Sequence, residues 1–195
     1  MKKIAIFASG SGSNAENIVH YFQEKENLNV ECIYSNKADA YVLERAKKFN
    51  IPSKVFSKED FYSSNFILND LKDKNIDLIV LAGFLWLIPE NLTNNFTIIN
   101  IHPALLPKYG GKGMYGHKVH EAVVTNGEKV SGITIHYVNE NYDEGRIIFQ
   151  ATCEIRPGDN ADDVAAKVHQ LEYEYFPKVI EKLLTGDDLV LPLDK

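Results

Sequence analysis

Asn100, Ile101, His102 and Pro103 follow an apolar run, with Asn100 and His102 two residues apart. On a strand that spacing points both side chains the same way. At the carboxyl end of a parallel strand, where open α/β sheets place their ligands, the two can converge on one atom. An Asn amide donates hydrogen bonds, and an imidazolium offers both a donor and a transferable proton. Together they suit an oxyanion formed at a carbonyl or formyl carbon, where one aimed donor is worth about 100-fold in rate. The bland alternative is a strand-end histidine satisfied by the backbone. Asp143, in the loop 139–145, is the candidate third member. A carboxylate beside an imidazole raises its pKa, fixes its orientation and can relay a proton. The same loop also reads as a turn with solvated acids.

A second chemical feature opens the chain. Ser9-Gly10-Ser11-Gly12-Ser13-Asn14-Ala15 joins an apolar run to a helical period. Glycines let the backbone approach a ligand, and N–H groups at a helix start favour an anion. Gly10-x-Gly12-x-x-Ala15 fits a dinucleotide fingerprint, which wants an acid at the end of the second strand. That strand ends Tyr34-Ser35-Asn36-Lys37, with no carboxylate. A phosphate or phosphosugar therefore fits better than a dinucleotide; the alternative is a tight turn with Ser13 or Asn14 as a helix cap. There is no Gly-x-Ser-x-Gly elbow, catalytic cysteine pattern or His-Glu-x-x-His. His117 and His120, three apart on an expected helix, read as surface histidines because no third metal ligand follows in pattern. Cys32 and Cys153 read as reduced, buried thiols.

Elements of an α/β protein must position these groups. Apolar runs at 4–8, 30–34, 54–56, 77–82 and 97–101 predict buried strands, and 130–138 with 146–155 predicts a hairpin or paired strands. Helical periods lie at 14–26, 39–50, 61–74 and 160–184, with Pro177 expected to kink or break the last. Alternating strands and helices predict a mostly parallel central sheet with an antiparallel late strand and helices on both faces, a Rossmann-like arrangement. The chain has 195 residues, enough for one core, and a formal charge of −6. That charge argues against a nucleic-acid or polybasic membrane partner. No apolar run is long enough for a membrane span, and the apolar start is too short for a secretory core. A cytoplasmic protein is the expectation.

Taken together, these residues resemble the folate-dependent formyltransferases, in the branch that formylates 5'-phosphoribosylglycinamide. The carriers are Gly10-Ser11-Gly12-Ser13-Asn14, Ser35-Asn36-Lys37-Ala38-Asp39-Ala40, Leu81-Ala82-Gly83-Phe84 and Asn100-Ile101-His102-Pro103-Ala104-Leu105-Leu106-Pro107. Gly132-Ile133-Thr134-Ile135-His136-Tyr137-Val138, followed by Asp143-Glu144-Gly145, completes them. The resemblance implies a single domain over 1–195, with a phosphate-binding half about 1–100 and a folate and catalytic half about 100–195. It implies transfer of a formyl group from 10-formyltetrahydrofolate to the glycinamide amine, in de novo purine synthesis, with no metal. By the same resemblance His102, Asn100 and Asp143 are catalytic, with Asp143 keeping His102 protonated. Gly12, Ser13 and Asn14 would hold the phosphate, and His169, Gln170, Leu171 and Glu172 the rest of the ribonucleotide. Lys58, Leu85, Trp86, Leu87, Ile88, Asn100, Asn139, Glu140, Asn141, Tyr142 and Asp143 would contact the reduced folate. The expected partners are these small molecules, in a monomer or weak homodimer.

Three positions depart from the family's usual pattern. Trp86 and Lys58 stand where relatives often carry Arg, and a Lys loses bidentate pairing with a carboxylate. The loop 109–117 is long and glycine-rich, which suits a mobile lid. The rival readings keep the donor and change the acceptor, to an amino sugar, an aminoacyl-tRNA or water. From other classes come a non-catalytic nucleotide-binding protein and a dehydrogenase.

Overall fold

Every apolar run becomes a strand. The structure, a computed structural model, describes residues 1–186; residues 187–195 of the expected domain lie outside them. The strands are β1 (Lys2–Phe7), β2 (Leu28–Ser35), β3 (Ser53–Val55), β4 (Leu78–Leu81), β5 (Ile98–His102), β6 (Val130–Tyr137) and β7 (Ile147–Glu154). Their order is β3-β2-β1-β4-β5-β6-β7. β1 pairs in parallel with β2 and β4, and β2 with β3, whereas β6 and β7 are antiparallel. This is the mostly parallel sheet with an antiparallel late strand that the alternation of periods predicts.

The helices are α1 (Ser13–Phe22), α2 (Val42–Lys48), α3 (Phe66–Asp73), α4 (Glu90–Thr93), α5 (His117–Thr125) and α6 (Ala161–Thr185). Two expectations need correction. The period at 61–74 is not one helix: a π-turn at Glu59–Ser63 stops at Ser64, whose backbone is extended, and α3 begins afresh. Nor does Pro177 break the last helix. It lies buried inside α6, which continues to Thr185, so packing outweighs the lost backbone hydrogen bond. Asn160 starts α6 with a capping box, accepting from the Asp162 and Asp163 amides while Asp163 accepts from the Asn160 amide.

The chain divides into two units, Met1–Ile99 and the residues from Asn100 on. In the first, Ile4, Ala5, Ile6 and Phe7 of β1 and the whole of β4 are buried, as strands covered on both faces must be. Ala15, Ile18, Val19 and Phe22 of α1 and Val42, Leu43 and Ala46 of α2 are buried too. In the second unit, Ile133 and Ile135 of β6 and Val164, Val168, Phe176, Val179 and Ile180 of α6 form the interior. Cys32 is buried, and burial pushes its thiol up to about 11; Cys153 is only half-buried, short of the expectation. No helix among the described residues is long and apolar enough to cross a membrane.

One polar cluster braces the first unit. The Tyr34 hydroxyl donates to Asp70 Oδ2 at 2.5 Å, and Lys54 and Lys74 donate to Asp70 Oδ1 at 2.6 and 2.7 Å. Burial raises the carboxyl, but these hydrogen bonds outweigh it and hold Asp70 down at about 2. A depressed carboxyl stabilises the fold above its unfolded value, near 4, and loses that contribution as pH falls through the folded one. Asp70→Asn should therefore cost about 2–3 kcal/mol at pH 7 and progressively less between pH 4 and 2. Urea unfolding of both proteins across that range measures it; a pH-independent difference contradicts the assignment.

Candidate active site

In the first unit, β1 ends at Phe7 and the chain reaches α1 through Ala8 to Gly12. Neither Ser13 nor Asn14 caps the helix, as the alternative reading of this turn would have it: Gly12 is the N-cap, at φ 73, and Ser13 is already helical. A Cβ at Gly12 would lie 2.4 Å from Val42 Cγ2, so glycine is required both for conformation and for the approach to α2. The Gly10 carbonyl accepts from the Val42 amide at 3.1 Å, and the Ser11 carbonyl from Arg45 Nε at 2.8 Å. Acceptors are thus drawn towards α2, which suits an anion at the helix start. Glu16, in the first turn of α1, opposes an anion, but it is paired with Arg45 and with Lys48 at 3.3 Å.

Ser9 links this loop to the expected folate stretch. Its amide donates to the Gly83 carbonyl at 3.0 Å, and its hydroxyl accepts from the Leu85 amide at 3.1 Å. Beyond it, Leu85 is exposed, Trp86 and Leu87 are half-buried and Ile88 is in the core. The Leu87 carbonyl accepts from the Tyr62 hydroxyl at 2.9 Å. Lys58 Nζ lies 5.8 Å from the centre of the Trp86 ring, so the two departures from the family pattern stand together.

The second unit holds the catalytic candidates. Asn100 and His102, on β5, share a direction, and the loop after β6 brings Asp143 to both. Asp143 Oδ2 lies 3.5 Å from His102 Nδ1, and Asp143 Oδ1 accepts from Asn100 Nδ2 at 3.4 Å. Asp143 stands at φ 58, and a Cβ at Gly145 would lie 1.6 Å from the Tyr137 carbonyl oxygen, so the loop doubles back tightly. Asn139 Oδ1 accepts from the Asn141 amide at 3.0 Å, which shapes the loop's start; Glu140 and Asn141 are exposed and Tyr142 half-buried. Thr134, fully buried, donates to the Ala104 carbonyl at 2.7 Å and accepts from the Leu106 amide at 3.0 Å, fixing the segment after His102.

His136 belongs to this group, and sequence reasoning did not single it out. It is 2% exposed, and its Nδ1 lies 2.8 Å from the Tyr137 carbonyl, so Nδ1 carries the proton. Its Nε2 is then free to accept from Asn100 Nδ2 at 3.1 Å. Asp143, an acceptor only, sets the same amide orientation, with nitrogen inward. A register shift in the β6–β7 pairing between Ile135 and His136 accompanies this placement, as bulges beside active sites do.

The electrostatics correct one expectation. His102 is 3% exposed, and burial pulls its pKa below the ordinary 6.5; Asp143 and the Tyr109 carbonyl push upward but do not win. Asp143 therefore does not keep His102 protonated. It stays ionised itself: burial raises its carboxyl, but His102 and the Gly111 amide are among the contacts that hold it below the usual range. Gly111 N donates to Asp143 Oδ2 at 3.0 Å.

On α6, Glu172 is 4% exposed and accepts from His169 Nδ1 at 2.8 Å, a hydrogen bond that raises the His169 pKa. Beside them, Gln170 is exposed and Leu171 half-buried. His120 is not a surface residue. It is 2% exposed, its ring 6.5 Å from that of His169, and burial pulls it down to about 4. Among the described residues no group of three or more His, Cys, Asp or Glu is placed to hold a metal ion.

Residues 2–180 match the family described as Formyl transferase. The chain is similar to phosphoribosylglycinamide formyltransferase of Haemophilus influenzae, at 39% identity over 194 residues, 95% of this chain and 89% of that one. It is similar to the Bacillus subtilis protein of the same name, at 38% identity over 94% of this chain and 95% of that one. Its fold matches the crystal structure of phosphoribosylglycinamide formyltransferase from Bacillus halodurans, with a TM-score of 0.84 and 34% identity, covering 97% and 98% of the two chains.

Proposed function

The chain belongs to the formyl transferase family, and from that premise we propose that it transfers the formyl group of 10-formyltetrahydrofolate to the amine of 5'-phosphoribosylglycinamide. The products are the formylated ribonucleotide and tetrahydrofolate, in de novo purine synthesis. The observation that carries this reading is the set of Asn100, His102, Asp143 and His136 gathered at the end of β5, with both histidines buried. It combines an oriented amide donor, a neutral imidazole and an ionised carboxylate.

The neutral amine attacks the formyl carbon, forming a C–N bond and sending the carbonyl electron pair to oxygen. Asn100 Nδ2 has two hydrogens: one is held by His136, and the other lies towards Asp143 at the longer distance of 3.4 Å. That second hydrogen is the one available to the oxyanion. The attacking nitrogen, now positive, gives a proton to the neutral His102, and the Asp143 carboxylate stabilises the resulting imidazolium. The same proton passes to the departing folate nitrogen, and the oxyanion collapses as the C–N bond to folate breaks. Burial thus leaves His102 able to accept a proton, and Asp143 favours its arrival. General acid–base help of this kind is worth about 100- to 10,000-fold.

The remaining assignments follow the same reading. Gly12, Ser13 and Asn14 would take the phosphate at the start of α1, and His169, Gln170, Leu171 and Glu172 would contact the rest of the ribonucleotide. Lys58, Leu85–Ile88 and the 139–143 loop would meet the folate. The enzyme acts on small molecules in the cytoplasm, as one domain over the whole chain, in a monomer or weak homodimer. It needs no metal.

The test is acceptor dependence. Folate product should appear only when phosphoribosylglycinamide is present, with no added metal and with full activity in the presence of a chelator. Folate turnover without the ribonucleotide indicates a hydrolase, and turnover with another amine alone reassigns the acceptor.

A further inference from the structure

Tyr109 stands at φ 57, in the left-handed region that a residue with a Cβ occupies only when its surroundings hold it there. Its side chain shows what holds it. The hydroxyl donates to Glu128 Oε1 at 2.9 Å and accepts from Asn126 Nδ2 at 3.0 Å. Lys108 Nζ donates to the same Glu128 oxygen at 2.9 Å. Asn126 and Glu128 lie in the turn between α5 and β6. With the ring braced at that end, the Tyr109 backbone carbonyl lies 2.7 Å from His102 Nε2.

That contact decides the state of the imidazole. A carbonyl only accepts, so Nε2 carries a proton. In a neutral imidazole Nδ1 is then bare, and Nδ1 is the nitrogen 3.5 Å from Asp143 Oδ2. The residues next to Tyr109 serve the carboxylate. Gly111 donates its amide to Asp143 Oδ2, and a Cβ at Gly110 would lie 2.5 Å from Leu106 Cδ2 and 3.3 Å from Asp143 Cβ. One short segment therefore touches both the base and its carboxylate.

We propose that Tyr109, braced by Glu128, is a positioning residue that fixes His102 as its Nε2–H tautomer, so that protons arrive and leave at Nδ1 beside Asp143. The catalytic consequence rests on the formyl transfer proposed above; the tautomer does not. Glu128 acts only through Tyr109, and Tyr109 only through His102. The start of the glycine-rich loop is on this reading a fixed strut of the active site, whatever its tip does.

Side-chain 15N shifts of His102 in the substrate-free protein distinguish which ring nitrogen is protonated. Wild type should show Nε2–H. Tyr109→Phe removes the hydroxyl brace while keeping the ring, and Glu128→Ala removes the acceptor at the protein surface. Both should move His102 towards a mixture with Nδ1–H. Both should lower kcat about 10-fold while leaving KM for each substrate within about twofold. An unchanged tautomer in both variants overturns the proposal, whether or not kcat falls. If Tyr109→Phe does not fold, Glu128→Ala decides alone. Because the shifts are read without substrate, the tautomer is established independently of any acceptor assay.

Discussion

Asp143→Asn should leave a folded protein whose kcat is about 100- to 10,000-fold below wild type. The amide is close to isosteric and can still accept from the Gly111 N–H, so the loop has no reason to collapse. What disappears is the negative charge 3.5 Å from His102 Nδ1, which stabilises the imidazolium formed when the attacking amine gives up its proton. The sign of the accompanying pH effect follows from the same geometry. The His102 pKa already lies below its ordinary value because burial dominates, and Asp143 opposes that fall. Removing the carboxylate moves the His102 pKa further down. Since His102 works as the neutral base, kcat rises as pH passes upward through its pKa, and this acid limb should shift to lower pH in the variant. A limb that stays in place, or shifts upward, contradicts the assignment. His102→Ala should lose a similar factor and lose the limb altogether.

Gly12→Ala should damage the other end of the reaction. The new methyl would lie 2.4 and 2.5 Å from Val42 side-chain atoms and 2.9 Å from the Val42 backbone Cα, at a φ of 73 that L-residues avoid. The backbone cannot yield without separating the start of α1 from the start of α2. The combined cost is about 2–4 kcal/mol of stability. The phosphate-binding amides move with the helix, so KM for phosphoribosylglycinamide should rise about 30-fold or more while KM for the folate stays within about threefold. Gly10→Ala is the control for stability, because a Cβ there meets nothing within 4 Å. Unfolding curves and paired KM measurements check both; equal effects on the two substrates would remove the phosphate assignment from this loop.

The strands were legible because parallel strands buried on both faces read as continuous apolar runs, and β1 and β4 are such runs. Asn100, His102 and Asp143 were legible as residue types, and their meeting was an expectation that the loop after β6 realises. His136 was not legible from its residue type. In Ile133-Thr134-Ile135-His136 it looks like one more alternating position, and only its neighbours across the register shift mark it as part of the site. Burial was the other blind spot. Nothing in the spelling of His102 or His120 says that one is 3% and the other 2% exposed, yet that desolvation reverses the expected protonation of the first and removes the second from the surface. That Gly12 rather than Ser13 or Asn14 caps α1 was not legible, because the choice depends on Val42, 30 positions further on. Tyr109 was hidden in the same way, since its carbonyl rather than its side chain faces His102.

The most direct test of formyl transfer by this set of residues follows the carbon itself. Wild-type protein is given 10-formyltetrahydrofolate labelled with 13C in the formyl group, together with phosphoribosylglycinamide and a chelator, and the products are read by NMR. The label should appear in the amide of the formylated ribonucleotide, one equivalent for each tetrahydrofolate formed, and should fail to do so with His102→Ala. Label recovered as free formate, or transfer that persists at the wild-type rate without His102, would contradict the account.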